Sequence, residues 1–486
     1  MQEPISHGGA TPSFDAGPLY VDLDGTLVAT DLLHESVLLL VHADTRALWR
    51  LPVWLAGGKA RLKEEVAQRT SPDVERLPYR PEVLVLIRQA RKDGRRVVLA
   101  TASHGRIADR IARHLGLFDA VIASDGRTNR AGANKLEAIV ADAAGAPFTY
   151  AGNSTADLPI WRQAAVAVVV DASASLAARV REIVPDVRTL APAGPTWRAL
   201  PRALRLHQWL KNLLLALPLL PVIGILQPRL LAALGLAFVA FGAMASAVYV
   251  VNDLLDLESD RRHARKRERP FASGRLSIAT GVVLAAGLCS ASLAIALVFL
   301  PGAFTVWLLA YIALTTAYSL VLKRIPVVDV LVLAGLYALR ILAGAAAFAL
   351  PVTLWILSFS TFLFTSLAFA KRYVEIDMAH SGEDSAVEHR GYRPADRQFV
   401  MAAGIAAGQI AVLVLNLYLN DANAMRHYRH PELMWLIGPL LLFWVLRIWF
   451  VAVRRQLPDD PVVFAARDRV SQVIVIASVL LVAAGV

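Results

Sequence analysis

Cysteine and charge are both scarce in this chain of 486 residues. Its single cysteine, Cys289, excludes an intrachain disulfide framework and a cysteine-rich zinc site. Charged residues make up 18% of the chain, compared with about 25% in an ordinary soluble domain. Hydrophobic residues reach 56%, which excludes intrinsic disorder. The composition therefore indicates a membrane protein, or a soluble domain joined to one.

Two parts of the chain differ in their patterns. Residues 18–190 alternate short apolar runs with helix-like stretches, which predicts a Rossmann-like α/β domain with a parallel sheet. Residues 205–486 hold long apolar runs, which predict an all-α polytopic membrane bundle. We expect residues 1–17 to form a polar tail without the features of a signal peptide, and residues 191–204 to form a linker.

Nine apolar runs of the second part are each near the ~20 residues that cross a bilayer. Basic residues concentrate in the even-numbered connections between these runs, and positive charge stays on the cytoplasmic side of a membrane. We therefore expect a multi-pass protein of the inner (plasma) membrane with a cytoplasmic α/β domain and its C-terminus outside. The nine predicted transmembrane helices are 209–226, 230–251, 279–300, 302–322, 327–350, 352–370, 399–419, 432–453 and 470–486.

The first predicted strand ends in two acids, Asp22 and Asp24, followed by Gly25 and Thr26. Because a strand alternates its faces, the two carboxylates are expected on one side, where the strand ends. One can act as a nucleophile and the other as a general acid, and both can bind Mg²⁺. The alternative is a strand end whose acids only cap a helix.

This segment resembles the first motif of the haloacid dehalogenase (HAD) superfamily of phosphatases, and the resemblance covers about residues 18–190. It implies that Asp22 is the nucleophile, that Asp24 is the acid/base, and that a helical cap is inserted at about residues 33–80. Thr101 and Lys135 match the phosphate-binding motifs, and the resemblance places Mg²⁺ at Asp22, Asp24, Asn153 and Asp157. Members usually have an acid where Asn153 stands, and an amide supplies an oxygen but no charge. A non-catalytic docking or regulatory domain is therefore the alternative.

A second acidic cluster lies at the cytoplasmic end of the second predicted span. Asp253, Asp256 and Asp260 are spaced i, i+3 and i+7, so on one helix they fall within an arc of about 60°, and Asn252 joins them. Clustered carboxylates repel unless a cation bridges them, and Mg²⁺ binds a few carboxylates together with substrate phosphates. The alternative is a solvated acidic helix end that neighbouring arginines neutralise.

This cluster, continued by Lys266, Arg269, Pro270, Ser273 and Gly274, resembles the first motif of the UbiA superfamily of intramembrane transferases. The resemblance covers about residues 200–486, and Tyr318, Ser319 and Lys323 at the end of the fourth span also match. It implies that Mg²⁺ holds a diphosphate while its C–O bond ionises. The implied metal ligands are Asn252, Asp253, Asp256 and Asp260.

The second metal motif of that family is irregular here. Glu375 and Asp377 do not have the usual Asp-x-x-x-Asp spacing, and the preceding pair Lys371-Arg372 indicates additional phosphate on the substrate. This segment, together with the region around Lys211 and Asn212, resembles the decaprenyl-phosphate phosphoribosyltransferase branch. In the fifth span, Asp329 and Arg340 are either cavity-lining or structural.

The branch implies Mg²⁺-dependent transfer of phosphoribosyl from phosphoribosyl diphosphate to a polyprenyl phosphate, after which the HAD domain removes the 5-phosphate. The alternative is prenyl transfer from a prenyl diphosphate to an aromatic or quinone precursor, with a non-catalytic HAD domain. The expected partners are these substrates and the membrane, and no nucleic acid. The residues expected at the substrate and its phosphates are Lys211, Asn212, Lys266, Arg269, Lys323, Lys371, Arg372 and Glu375.

Overall fold

The computed structural model describes residues 17–190, 196–225, 227–263, 265–380, 390–421, 430–458 and 461–485. The predicted tail up to residue 16 and the first five linker residues, 191–195, lie outside the described residues. The chain forms two compact units. The N-terminal unit comprises the residues up to 203 together with 250–283, and the membrane unit comprises 204–249 and 284–486.

A six-stranded parallel sheet forms the centre of the N-terminal unit, in the order β3-β2-β1-β4-β5-β6. Five of its strands are largely apolar runs, because helices cover both faces of a parallel sheet. The edge strand β6 differs, since it carries Asp186 and Arg188 and is only partly buried. This confirms the predicted α/β fold. The strands are β1 (Leu19–Val21), β2 (Val97–His104), β3 (Ala120–Ser124), β4 (Thr149–Gly152), β5 (Val166–Val170) and β6 (Asp186–Leu190).

Helices follow the strands of the N-terminal unit. The first three, inserted between β1 and β2, pack around a small core of their own that includes Leu40, Trp54 and Val66, and they form the predicted helical cap. The Asp31 carboxylate caps the first of them by accepting from the His34 N–H. The helices are α1 (Leu32–Ala43), α2 (Ala47–Ala56), α3 (Lys59–Arg69), α4 (Pro81–Lys92), α5 (Gly105–Leu115), α6 (Ala133–Ala143), α7 (Leu158–Trp161), α8 (Ala174–Ile183) and α9 (Leu200–Ala203).

The segment 250–283, which the sequence assigned to the membrane bundle, packs in the N-terminal unit. It holds the end of α10 (Pro228–Leu255), the short helix α11 (Leu257–Arg262) and the start of α12 (Ile278–Phe299). The second acidic cluster therefore belongs to the N-terminal unit by its packing.

The membrane unit is all-helical in its described residues. It begins with a 3₁₀ helix, Leu206–Ile225, where the sequence predicted the first span. Pro218 and Pro221, which lack a backbone N–H, disfavour a continuous α-helix over this segment. The further helices are α13 (Gly302–Leu320), α14 (Val328–Phe348), α15 (Leu354–His380), α16 (Arg397–Leu419), α17 (Pro431–Met434), α18 (Ile437–Val453), α19 (Pro461–Arg467) and α20 (Arg469–Gly485).

Among the described residues, seven helical segments are long and apolar enough to cross a membrane. An eighth crossing is present if α19 and α20, which meet at 77°, form one broken span. The multi-pass helical architecture agrees with the prediction, whereas the number of nine spans is not confirmed. The predicted first span is the 3₁₀ helix, and the predicted last span lies within the bent pair.

Candidate active sites

Asp22 directly follows β1 at the carboxyl end of the sheet and is 6% exposed. Its N–H donates to the Ala151 carbonyl on neighbouring β4, so the sheet holds its backbone. Its Oδ1 accepts a 2.8 Å hydrogen bond from Nζ of Lys135, which α6 carries into the same edge. The structure thus brings together two residues that are more than a hundred positions apart.

Asp157 lies on the other side of Lys135 from Asp22 and contacts several groups of the loop after β4. Its Oδ1 accepts from the Tyr150 hydroxyl and lies 3.5 Å from Lys135 Nζ. Its Oδ2 accepts from the backbone N–H groups of Asn153 and Ser154 and from the Ser154 hydroxyl. Protein donors therefore engage both oxygens, and Asp157 orients Lys135 and the loop after β4.

Asp24 is held by two elements. Its Oδ1 accepts the Leu32 N–H at the start of α1, and its Oδ2 accepts the Ser103 hydroxyl at 2.6 Å and the Thr101 hydroxyl at 3.4 Å. The Thr101 hydroxyl in turn accepts the Ser103 N–H. The strand end β2 and the first cap helix thereby fix the orientation of the predicted acid/base.

The electrostatics of the two acids follow from burial. Burial raises the pKa of Asp22 to about 7, and the charges of Asp157 and Asp24 act in the same direction while Lys135 opposes them. Burial, followed by the charge of Asp31, also raises the pKa of Asp24. Although burial opposes it, Asp22 and Asp157 raise the pKa of Lys135, which therefore stays charged. The raised pKa of Asp24 suits the general acid role predicted for it, because a carboxyl that holds its proton can donate it.

The donors at this edge are suited to Mg²⁺, which prefers oxygen ligands. Gly25 has a φ of +75°, and a Cβ there would lie 1.9 Å from Asn153 Nδ2. The Asn153 amide is therefore packed against the turn that follows Asp24. Asp22, Asp24 and the Asn153 amide oxygen are the residues that would hold the ion. Asp157, which the sequence also predicts as a ligand, has both oxygens engaged by protein donors and would support the other three from behind.

Three further residues contribute to this site and were not predicted from the sequence. Ser103 stands two residues after Thr101 on β2, and the alternation of a strand could have identified it. Tyr150 lies three residues before Asn153 and hydrogen-bonds to both Lys135 and Asp157. Lys63 of the cap helix α3 donates to the Ala102 carbonyl and to Asn129 Oδ1, and no sequence spacing connects it to them. Burial lowers the pKa of Lys63, against the charges of Asp24 and Asp31.

The second acidic cluster lies on two helices rather than on the one that its spacing predicted. Helix α10 ends at Leu255, Asp256 has φ −95° and ψ 11°, and α11 begins at Leu257. Nevertheless, Arg269 Nη1 donates to Asp253 Oδ1 at 3.2 Å and to Asp260 Oδ2 at 2.7 Å. The two buried acids therefore face one guanidinium across the break. Burial raises the pKa of Asp260, and Arg269 opposes this shift.

Other residues of this motif surround the acids. The Asp256 N–H donates to the Asn252 carbonyl, and Lys266 lies in a 3₁₀ turn close enough to lower the pKa of Asp260. Among the described residues, no three or more His, Cys, Asp or Glu side chains group tightly enough to hold a metal by themselves. Magnesium at either cluster would therefore also need water or substrate phosphate oxygens, which is its usual coordination.

Within the N-terminal unit, a buried ion pair joins the cap helix α1 to α11, the helix that carries Asp260. Arg261 of α11 donates to both carboxylate oxygens of Glu35 in α1, at 2.5 and 3.1 Å, and its Nε donates to the Ala272 carbonyl. Both side chains are only 5% exposed. Near it, a Cβ on Gly274 would lie 2.6 Å from Ala29. The cap and the loop after α11 are therefore closely packed.

In the membrane unit, Lys211 and Asn212 lie on the 3₁₀ helix. Lys211 is 5.6 Å from the Tyr337 ring, and Asn212 Oδ1 accepts from Arg340 Nε at 3.2 Å. Arg340 is buried over the rings of Phe241, Tyr311 and Tyr337. Arg340 therefore positions Asn212 from an aromatic cage.

Arg372 lies at the centre of a second buried network. It is fully buried, pairs with Asp329 at 2.7 Å and with Glu375, and lies over the Tyr392 ring. Glu375 also lies 3.8 Å from Arg390, which donates to the Tyr318 hydroxyl. The carboxylates of Asp329 and Glu375 thus neutralise the charge of Arg372. Binding of a substrate phosphate by Arg372 stays a prediction.

Further polar residues border that network. Asp377 is buried between Arg397 and Arg455, at 3.2 and 2.5 Å. Lys371 and Lys323 are half-buried, Lys371 on α15 and Lys323 in the 3₁₀ turn after α13. Both carry the positive charge expected of phosphate-binding residues, and their roles remain predictions.

Comparison with known proteins identifies both parts of the chain. Residues 215–466, more than half of the sequence, match the UbiA prenyltransferase family. The chain belongs to this family. Residues 19–162 match the haloacid dehalogenase-like hydrolases, so this UbiA family member carries an N-terminal HAD-like domain.

Three similar proteins illustrate the relationship. An uncharacterised protein of Sinorhizobium fredii, y4nM, is 39% identical over 93% of this chain and 88% of its own. A decaprenyl-phosphate phosphoribosyltransferase of Mycobacterium tuberculosis is 31% identical over 62% of this chain and 98% of its own. A solved UbiA homologue from Archaeoglobus fulgidus, bound to GPP and Mg²⁺, is 19% identical, covers 59% of this chain and 98% of its own, and has a TM-score of 0.45.

Proposed function

We propose that this enzyme transfers the 5-phosphoribosyl group of phosphoribosyl diphosphate to a polyprenyl phosphate, and that its HAD-like domain then removes the 5-phosphate. The observation that carries the first step is the similarity to a decaprenyl-phosphate phosphoribosyltransferase over 98% of that protein. The presence of the HAD-like domain on the same chain supports the second step.

In the transfer, the bond between the ribose C1 and the diphosphate oxygen breaks, and the electron pair leaves with the diphosphate. An oxygen of the lipid phosphate then forms the new bond to C1. Bound Mg²⁺ would supply positive charge for the leaving diphosphate. Asn252, Asp253, Asp256 and Asp260 would hold it, and Lys211, Lys266, Arg269, Lys323 and Lys371 would neutralise the remaining phosphates.

In the second step, the Asp22 carboxylate attacks the phosphorus of the 5-phosphate, and Asp24 protonates the departing ribose oxygen. Water then hydrolyses the aspartyl phosphate. The pairing of Asp22 with Lys135 supports this assignment, because a buried cation offsets phosphate charge. The hydrogen bonds from Leu32 and Ser103 support it as well, because they hold Asp24 in one orientation.

The test uses the full chain in vesicles with Mg²⁺, labelled phosphoribosyl diphosphate and a polyprenyl phosphate. We expect label in the lipid fraction, and we expect Asp260→Asn to abolish it. Glu258→Gln, at a neighbour on α11 that pairs with the exposed Arg262, is the matched control and should retain the activity. Label that stays in water, together with prenyl transfer from a prenyl diphosphate to an aromatic acid, would refute the proposal.

The dephosphorylation is read from the same lipid. Wild type should release the 5-phosphate, whereas Asp22→Asn should leave it on the lipid. Asp93→Asn, an exposed acid of the same domain, is the control. If wild type and Asp22→Asn retain the 5-phosphate equally, the proposed role of the HAD-like domain is wrong.

A further inference from the structure

The outward face of the cap helix α2 is apolar. Ala47, Leu51 and Trp54 face the cap core. On the opposite side of the helix, four large apolar side chains are exposed to solvent. We call these four residues the α2 apolar face: Leu48, Trp49, Val53 and Leu55, which are 54%, 85%, 64% and 51% exposed.

This arrangement is unusual for a surface helix. At about 100° per residue, positions 48, 49, 52, 53, 55 and 56 cover an arc of about 160° opposite the buried side, and none of them is charged. A helix on a soluble domain normally presents charged and polar residues there, and one that is apolar all round is buried or in a membrane. Arg50 is the only charged residue of α2, and it lies on the flank of the arc.

Positive charge predominates beside the face, where Asp44 pairs with Arg50 at 3.9 Å. The segment 45–63 contains five basic residues and no acidic one. Four of them are exposed: Arg46, Arg50, Lys59 and Arg61. Tryptophan and leucine beside arginine and lysine are the composition of helices that lie in the headgroup region of an anionic membrane surface.

We propose that the α2 apolar face inserts into the interface of the bilayer in which this chain is embedded. Helices of the same chain that are long and apolar enough to cross a membrane keep that surface within reach of the tethered domain. The positive charge favours the anionic headgroups of a membrane over a second copy of this basic face, which would repel it.

The contact has a consequence that rests on the proposed function. If the substrate of Asp22 is a lipid, its phosphate stands at the membrane surface, and a cap that is held there meets it without extracting the chain. The α2 apolar face then determines selectivity for membrane-borne phosphate esters over soluble ones. Because α2 does not carry Asp22, Asp24 or Lys135, its residues act by positioning and not in the chemistry.

The membrane contact is tested by a fluorescent NBD label at Val53→Cys, in a Cys289→Ala background, in nanodiscs that contain anionic lipid. Val85→Cys is the matched control, since Val85 is 62% exposed on α4 of the same unit. We expect a blue-shifted emission at position 53 that lipids brominated near the headgroup quench, and little quenching at position 85. Equal quenching at both positions would overturn the proposal. A blue shift without lipid quenching that disappears in single-copy nanodiscs would indicate a second protein copy and would also overturn it.

The catalytic consequence is tested with Trp49→Glu and the control Val85→Glu. For the phosphoribosyl lipid in vesicles, we expect Trp49→Glu to raise KM about tenfold with kcat little changed, as expected when membrane binding weakens. Hydrolysis of soluble ribose 5-phosphate should stay as in wild type. An equal loss on both substrates would overturn the positioning role. A wild type that does not act on the lipid would refute the proposed function, whereas the quenching result would stand independently.

Discussion

At the scale of single residues, burial sets the chemistry of the HAD site. Asp22 is ionisable and almost without solvent, and the cation of Lys135 only partly offsets the cost of its charge. Such a carboxylate is poised to gain from a second cation, because a metal would favour its ionised form. The same imbalance makes the stability of this unit depend on pH.

We expect the metal-free N-terminal unit to lose stability as the pH rises from about 4 to about 7. The pKa of Asp22 is raised from 3.8 to about 7 in the folded state. The folded chain therefore holds a proton that the unfolded chain has released, and this contribution is complete below 3.8 and lost above 7. The stability of the unit is measured in EDTA across this pH range by thermal unfolding. Hydrogen exchange of β1 and α6 reports the same change locally.

The Asp22→Asn variant cannot ionise at this position, so its stability should change less over the same pH range. Asp93→Asn serves as the control and should follow wild type. Identical pH profiles for wild type and Asp22→Asn would contradict the assignment of the raised pKa to Asp22.

Gly25 offers a test of the Asn153 position. An alanine there must adopt φ +75°, and its Cβ would overlap the Asn153 amide. Gly94 has φ +73° with open space around it, so Gly94→Ala measures the backbone strain alone. We expect both variants to lose about 1 kcal/mol of stability from that strain, and only Gly25→Ala to need more Mg²⁺ for phosphatase activity. Equal Mg²⁺ dependence in the two variants would exclude a metal-binding role for Asn153.

At the scale of elements, the Glu35–Arg261 pair joins α1 to α11. Removing one partner of a buried pair leaves an uncompensated charge, which costs about 3–5 kcal/mol, whereas an exposed pair contributes about 0–1 kcal/mol. We therefore expect Arg261→Met to increase hydrogen exchange in both α1 and α11. The adjacent Arg262→Met should not, because Arg262 is 57% exposed.

The double variant Glu35→Leu with Arg261→Met tests whether the unpaired charge of Glu35 causes the faster exchange. Because it removes both charges, it should recover most of the lost protection. If Arg261→Met and Arg262→Met have the same small effect, the pair does not hold these two helices together.

How much of this was predictable depends on whether a feature leaves a local signal. The strands β1 to β5 were predictable as short apolar runs, whereas the edge strand β6, which carries Asp186 and Arg188, was not. The positions of Asp22, Thr101 and Lys135 at the carboxyl edge of the sheet were predictable because a motif surrounds each. The break between α10 and α11 at Asp256 was not predictable, because the acids have the same sequence spacing on a continuous helix and on an interrupted one. The Glu35–Arg261 pair joins positions 226 residues apart, and the sequence around each residue contains no sign of the other.

At the scale of the whole molecule, two candidate active sites share one chain, and the proposed intermediate is a lipid. A long polyprenyl chain diffuses within its bilayer and does not exchange readily through water, because its transfer would expose a large apolar area. The phosphoribosyl lipid formed by one chain should therefore reach the HAD-like domain of any other chain in the same vesicle.

We expect Asp260→Asn and Asp22→Asn chains to complement each other when they are reconstituted together. The first lacks transfer and retains the phosphatase, and the second has the opposite defect. Mixed vesicles should yield labelled lipid without its 5-phosphate, whereas a mixture of separately prepared vesicles, or either variant alone, should not. Labelled lipid extracted at successive times and separated by charge measures this. If mixed vesicles accumulate only the phosphorylated lipid while each variant keeps its remaining activity, the intermediate passes between the two sites within one chain, because a freely diffusing lipid would have been dephosphorylated.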